Sequence, residues 1–405
     1  MRDTLLPFSP PAIGEEEIAE VAAALRSGWI TTGPRTRLFE QRFAEFTGAA
    51  AALALNSGTG AMHVALASLG VGKGSAVITT ALTFCSGVHV IEQMGARPVL
   101  VDVDPETLNI DAAQVDCAAR ALRSGERLAA IMPVHLYGHP CDRKSLIGIA
   151  KRHGCALVED AAHAFPARHE GKTIGAAGDA DIPVLTAFSF YATKNLTTGE
   201  GGMLTGPPES IAEARQWSLH GIARDSWTRD QAQTAPWFYE VTRPGFKYNM
   251  TDIQAAMGLV QLSKAADFAI RRAGIAARYN EAFGRLEELR IPAQRPDIGH
   301  AWHVYALRLN LDKLKISRNA FIEELRGKNI AASVHFIPIH IHPYFRDGYG
   351  YKPNDFPVAY REYQRLVSLP IYPTMLDEDV DDVIEAVTET AAQNRKAAHF
   401  AAAEA

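Results

Sequence analysis

A lysine and an acid set the chemistry this chain could perform. Lys194 lies in Ala187-Phe-Ser-Phe-Tyr-Ala-Thr-Lys-Asn-Leu-Thr-Thr-Gly-Glu-Gly-Gly-Met203, which reads as strand, active-site loop, strand. An amine at such an edge, beside a hydroxyl and several glycines, can form a Schiff base with an aldehyde. Upstream, Val158-Glu-Asp-Ala-Ala-His-Ala164 ends a strand with a carboxylate. A lysine for an aldehyde and a buried acid for a ring nitrogen are the two parts that a pyridoxal phosphate (PLP) site needs. Asp160 is the better placed acid. Glu159, its neighbour, should face the other side of the strand. Asp160 also fits an ordinary helix N-cap. His163 could hold a phenolic oxygen or simply pack in that turn.

Asn56-Ser-Gly-Thr-Gly-Ala61 follows a strand and opens a helix. Backbone N–H groups at a helix start bind phosphate well, although a plain capped turn has the same sequence. Ser189 could add a hydroxyl to the same phosphate, or bond the backbone. Phe84, just past a strand end, either stacks on a flat ring or fills a core corner. Asp102-Val-Asp104 resembles a DxD metal clamp, but Pro105 and the turn after it favour a capped strand end. His335, His340 and His342 lack helical spacing and a completing Cys or acid, so no metal is expected; they read as polar residues at a cleft edge.

The elements that must position these residues follow from periodicity. Residues 76–80, 98–102, 128–134 and 156–159 read as buried strands, alternating with helical stretches near 58–70, 84–94, 111–123 and 141–153. That is an α/β layout with a mostly parallel sheet covered on both faces. Ligands bind at the carboxyl ends of such strands, where Asp160 and Lys194 fall. A long helix from Thr251 toward Leu289 connects to a smaller α+β part with a strand at 302–309 and a helix at 317–328. The expected division is an arm over 1–14, a large cofactor-binding domain over 15–260, and a small C-terminal domain over 261–405.

The chain has 405 residues, 47% of them hydrophobic, and a formal charge of −5. It carries no basic block, which argues against nucleic acid as a partner. It has no apolar run long enough for a membrane span. Four cysteines without a CxxC pair suit a reduced, cytoplasmic enzyme.

Taken together, these segments resemble the DegT/DnrJ/EryC1/StrS family of PLP-dependent nucleotide-sugar aminotransferases. The resemblance is carried by the 57–59 turn, Val101–Asp111, His135-Leu-Tyr-Gly138, Glu159–His163, the Lys194 segment, Gly245–Gln254 and Ser333–Phe336. It implies the aspartate-aminotransferase architecture (fold type I) and a homodimer with shared active sites. It implies that Lys194 carries the coenzyme, with Asp160 at the pyridine nitrogen, His163 beside the phenolic oxygen and Phe84 stacked on the ring. Gly58, Thr59 and Ser189 would bind the phosphate, and Asn249 would reach it from the partner subunit. Family dehydratases replace the lysine, commonly with His; here it is retained, which favours transamination.

The Phe246–Met250 and His335–Pro343 segments look most like enzymes that move an amino group from glutamate to C4 of a nucleotide-linked 4-keto sugar. The 4-amino-4-deoxy-L-arabinose and 4-amino-4,6-dideoxyhexose pathways use such enzymes. Arg224, Lys247, Tyr248 and His335 are candidate nucleotide-sugar contacts. The alternatives are amination at C3, dehydration, or a regulatory protein that binds PLP or a nucleotide sugar without turnover. Asp181–Thr186 looks like a loop variation before the active-site strand.

Overall fold

The computed structural model describes residues 2–178, 180–223 and 239–397. Its centre is a seven-stranded sheet. The spatial order is Ala51–Leu55, Gly202–Gly206, Val184–Ser189, Ala156–Asp160, Arg127–Met132, Ser75–Thr80 and Arg97–Val101. The last five strands in that order run parallel to one another, and the first two pair antiparallel. The parallel strands are short, nearly continuous apolar runs because helices cover both faces. Ala156–Asp160 is buried at every position.

One face packs on the Gly58–Ser68 and Pro208–Ser218 helices. The other packs on Pro34–Thr47 and the start of Asp252–Phe283, around a cluster of Phe39, Phe43, Phe188 and Phe190. Gly258 allows that approach: a Cβ there would fall 2.7 Å from the Phe39 ring. Asp252 ties the same helices together. Its carboxylate accepts from the N–H groups of Gly33, Arg35 and Thr36 and from the Thr36 hydroxyl, capping the Pro34–Thr47 helix.

The C-terminal part is a three-stranded antiparallel sheet, Leu289–Arg290, Tyr305–Leu309 and Leu366–Leu369. It is backed by Arg318–Gly327, Asp377–Gln393 and the end of the long helix, through Tyr279, Phe283, Phe321 and Val387. The long helix spans Asp252–Phe283 without a break, so residues 260 and 261 both lie inside it. Asp102 links the two parts by accepting from the N–H groups of Val358 and Ala359. Those groups open the Pro357–Tyr363 helix; the turn after the strand itself is capped by Asp104, which accepts from the N–H groups of Glu106 and Thr107 and from the Thr107 hydroxyl. The N-terminal arm runs over its own chain: Leu6 pairs with Ile330, and Phe8 stacks on His335 at 5.2 Å.

Two sequence expectations need correction. Val184–Thr186 is not loop: the active-site strand begins at Val184 and pairs with Leu157–Asp160. Its apolar residues are those of an inner strand; Pro183 is where the loop ends. His340 is not at a cleft edge. It is buried against Phe356, with Nε2 3.1 Å from the Pro353 carbonyl. No metal-binding cluster of His, Cys, Asp or Glu occurs among the described residues.

Candidate active site

The Ala156–Asp160 and Val184–Ser189 strands are neighbours, and their carboxyl ends open onto one cavity of about 320 Å³. Asp160 sits at the end of the first. Its backbone is held by Pro133 and His135, and its Oδ1 accepts from the Ala162 N–H at 2.9 Å. Asp160 is buried, and Oδ2 has no hydrogen bond among the described residues. Burial raises its pKa, with the Ala162 N–H and the Lys194 charge acting against that shift.

Lys194 follows the second strand in a loop closed by backbone bonds from Phe190 to Gly201 and from Thr198 to Phe190. It lines the cavity but makes no ion pair with Asp160. Desolvation lowers its pKa to about 8, and Asp160 opposes the shift. At pH 7 about a tenth of this lysine is therefore free amine, the nucleophilic form, far more than an ordinary lysine would supply.

At one wall the Gly58–Ser68 helix starts beside Ser189. Ser57 caps it, accepting from Gly60. That leaves the first N–H groups, at Gly58 and Thr59, without intrahelical partners. A Cβ on Gly58 would come within 2.8 Å of the Ser189 Cβ, so only glycine lets the helix start lie against that strand. Gly58, Thr59 and Ser189 all line the cavity. A helix N-terminus with hydroxyls is a natural phosphate cradle.

On another wall, His163 Nδ1 accepts from the Tyr137 N–H at 3.2 Å. Its other nitrogen therefore carries the proton and is a donor. Burial, then the charge on Lys194, push its pKa well down. Phe84 lines the mouth, 57% exposed, with Phe336 5.8 Å away. An aldehyde-accepting amine, a phosphate cradle, a free carboxylate oxygen and an aromatic face around one cavity fit PLP.

Residues 11–388 match the model of the DegT/DnrJ/EryC1/StrS aminotransferase family. The chain belongs to that family. It is a PLP-dependent aminotransferase of fold type I. The chain is 48% identical to the uncharacterized protein MJ1066 of Methanocaldococcus jannaschii, over 98% of this chain and all of that one. It is 47% identical to the spore coat polysaccharide biosynthesis protein SpsC of Bacillus subtilis, covering 96% of this chain and 97% of that one. Among solved structures, the putative sugar aminotransferase Spr1654 of Streptococcus pneumoniae in its PMP-form matches with a TM-score of 0.87. It is 34% identical, covering 96% of this chain and 99% of that one.

The aminotransferase site gathers seven of the residues singled out in the sequence: Gly58, Thr59, Phe84, Asp160, His163, Ser189 and Lys194. His335 joins them. Its Nδ1 lies 2.9 Å from the Ser368 hydroxyl, and burial lowers its pKa to about 4. Asn249, Lys247 and Tyr248 do not line this cavity. Asn249 donates to the Thr32 hydroxyl and accepts from Lys247. Tyr248 is packed on Phe246, its hydroxyl 3.2 Å from His63. Arg224 lies outside the described residues.

Sequence reading passed over other wall residues, among them Met62, Thr83, Tyr191, Glu200, His303 and Phe336. Glu200 stood inside the glycine run after Lys194, and Phe336 stood next to His335. Only chain folding brings His303 to the site.

Proposed function

We propose that this enzyme moves an amino group from glutamate to the C4 keto group of a nucleotide-linked 4-keto sugar. The observation that carries the reading is Lys194: a partly deprotonated amine facing, but not paired with, a buried carboxylate in one cavity. A sugar acceptor is supported by the 34% identity to a putative sugar aminotransferase and by the 47% identity to a polysaccharide biosynthesis protein.

PLP supplies an aldehyde carbon for amines and a ring that withdraws electrons from the carbon losing its proton. The protein's own groups do the rest. Lys194 would hold that aldehyde and, once freed by glutamate, would serve as the base, taking a proton from the substrate carbon and returning it one position away, in the reverse sense for the keto sugar. Asp160 would keep the ring nitrogen protonated, His163 would donate from Nε2 to the phenolic oxygen, and Phe84 would cover a ring face. Gly58, Thr59 and Ser189 would hold the phosphate. Lys247, Tyr248, Arg224 and His335 are proposed sugar-nucleotide contacts.

A homodimer completes the proposal. Phe84 and Tyr191 are 57% and 48% exposed at the cavity mouth, and a partner subunit's Asn249 would reach the phosphate. A cytoplasmic setting is supported by four free thiols. No described helix is long and apolar enough to cross a membrane.

The test is the full-length enzyme with PLP, glutamate and a panel of UDP-, GDP- and dTDP-linked 4-keto and 3-keto sugars, read by mass spectrometry and NMR. A 4-amino sugar nucleotide is expected. A 3-amino product, a dehydrated product, or no conversion to the pyridoxamine form by glutamate would refute the reading.

A further inference from the structure

His303 has no assigned role, yet it lies in the cavity wall beside Lys194. Its Nδ1 is 3.1 Å from Oδ1 of Asn195, the residue directly after the lysine. The Asn195 amide nitrogen is already used, donating to the Ala301 carbonyl at 2.8 Å. Oδ1 is therefore an acceptor, and His303 Nδ1 must carry the proton. In a neutral ring this leaves a lone pair at Nε2, which takes part in no side-chain hydrogen bond among the described residues. The ring stays neutral because it is buried and because Lys194, His163, Arg272 and His335 would all oppose a second charge.

His163, whose ring centroid is 4.4 Å from that of His303, is the opposite tautomer, with its free nitrogen a donor. Two neutral imidazoles thus stand side by side with opposite polarity. A buried ammonium needs acceptors, and Lys194 Nζ has none among the described residues. His163 offers it only a donor. Asp160 is the expected partner of the ring nitrogen. Of the other wall histidines, His335 is engaged at Nδ1 by the Ser368 hydroxyl, while His303 is held through Asn195, the lysine's own chain neighbour, with Nε2 left as a neutral acceptor.

We propose that His303 Nε2 accepts a hydrogen bond from the protonated Nζ of Lys194 whenever that amine is not joined to the coenzyme, in the apoenzyme as well as between the two proton transfers, and that Asn195 is the positioning residue that holds His303 in the required tautomer. The proton balance is simple. The Lys194 amine takes one proton from the substrate carbon and gives it back to the neighbouring carbon. His303 neither gains nor loses a proton, and it steadies the ammonium between the two transfers. The proposal rests on Lys194 being the base of the aminotransferase.

An acceptor favours ammonium over amine, so removing it must lower the lysine pKa. The full-length apoenzyme is mixed with PLP across neutral to alkaline pH, and the rate of its capture is followed by absorbance. Wild type, His303→Phe, His303→Gln and Asn195→Ala are compared. Asp160, His163, Glu200 and His335 also face the cavity, and they are the same in every variant. Wild type should reach half its limiting rate near pH 8. His303→Phe should move that midpoint down by about one unit and reduce kcat about 10–100-fold with little change in KM for the sugar. Asn195→Ala should follow in the same direction. Gln, whose amide oxygen can accept, should restore the midpoint.

Nitrogen NMR of wild-type enzyme with labelled histidine checks the tautomer without any variant, and should show His303 Nε2 unprotonated. A protonated Nε2, or an unmoved midpoint in a His303→Phe enzyme that still captures PLP, would overturn the assignment. Wild type failing to capture PLP on Lys194 would instead refute the role of the lysine itself.

Discussion

Glu159 and Asp160 are adjacent on one strand and meet opposite fates. Glu159 faces away from the cavity. Arg143 holds it through two bonds, one of 2.6 Å, the Thr186 hydroxyl donates at 2.8 Å, and His135 stands 3.5 Å away. Although burial works against ionisation, these partners win and hold its pKa well below the usual range. Asp160 receives one backbone N–H, and burial raises its pKa. The same strand thus has a satisfied face that stabilises and an under-satisfied face that is left for a ligand. The difference shows where the fold tolerates unpaired charge: at the carboxyl ends of the central strands, around the cavity.

The largest effect should come from the site side. Lys194→Ala should reduce turnover by about 10²–10⁴-fold or more while leaving a folded protein, measured by amino-sugar formation and circular dichroism. Asp160→Asn keeps the shape and the Ala162 bond but cannot ionise, so turnover should fall about 10²–10³-fold. Retained turnover in Asp160→Asn would remove the functional half of the comparison.

The stability effects run the other way. Glu159→Gln leaves the half-buried Arg143 without its charged partner and should cost about 3 kcal/mol in urea unfolding of the apoenzyme near neutral pH. The sign with pH follows from the depressed folded-state pKa. The Glu159 contribution is present above its ordinary value of 4.5 and lost as pH falls below it. Glu159→Gln should therefore flatten the acid limb of the stability curve. For Asp160 the folded pKa is raised, so its ionisation opposes folding above its ordinary value of 3.8. Asp160→Asn should be neutral, or stabilising by about 1 kcal/mol, at pH 7. A clear loss of stability in that variant would break the comparison from the other side.

Much of this layout was legible in the sequence. Period-two alternation separated Glu159 from Asp160, and short apolar runs between helical stretches marked the parallel strands. Lys194 stood out because an apolar strand and a glycine run enclosed it. What stayed hidden depends on chain segments meeting in space. His303 and Asn195 are 108 residues apart in sequence, and no local pattern pairs them. The Pro34–Thr47 helix lacks an acidic first turn and a basic last turn, so its ends carry little charge signal. The strand start at Val184 was masked by Pro183, whose ring suggests loop although the next residue already pairs with Leu157.

The most direct measurement is borohydride reduction of the PLP-loaded enzyme followed by peptide mapping. The account predicts that the coenzyme is fixed on the peptide containing Lys194, and that Lys194→Ala leaves nothing fixed. A label on another lysine, or none in the wild type, would contradict it.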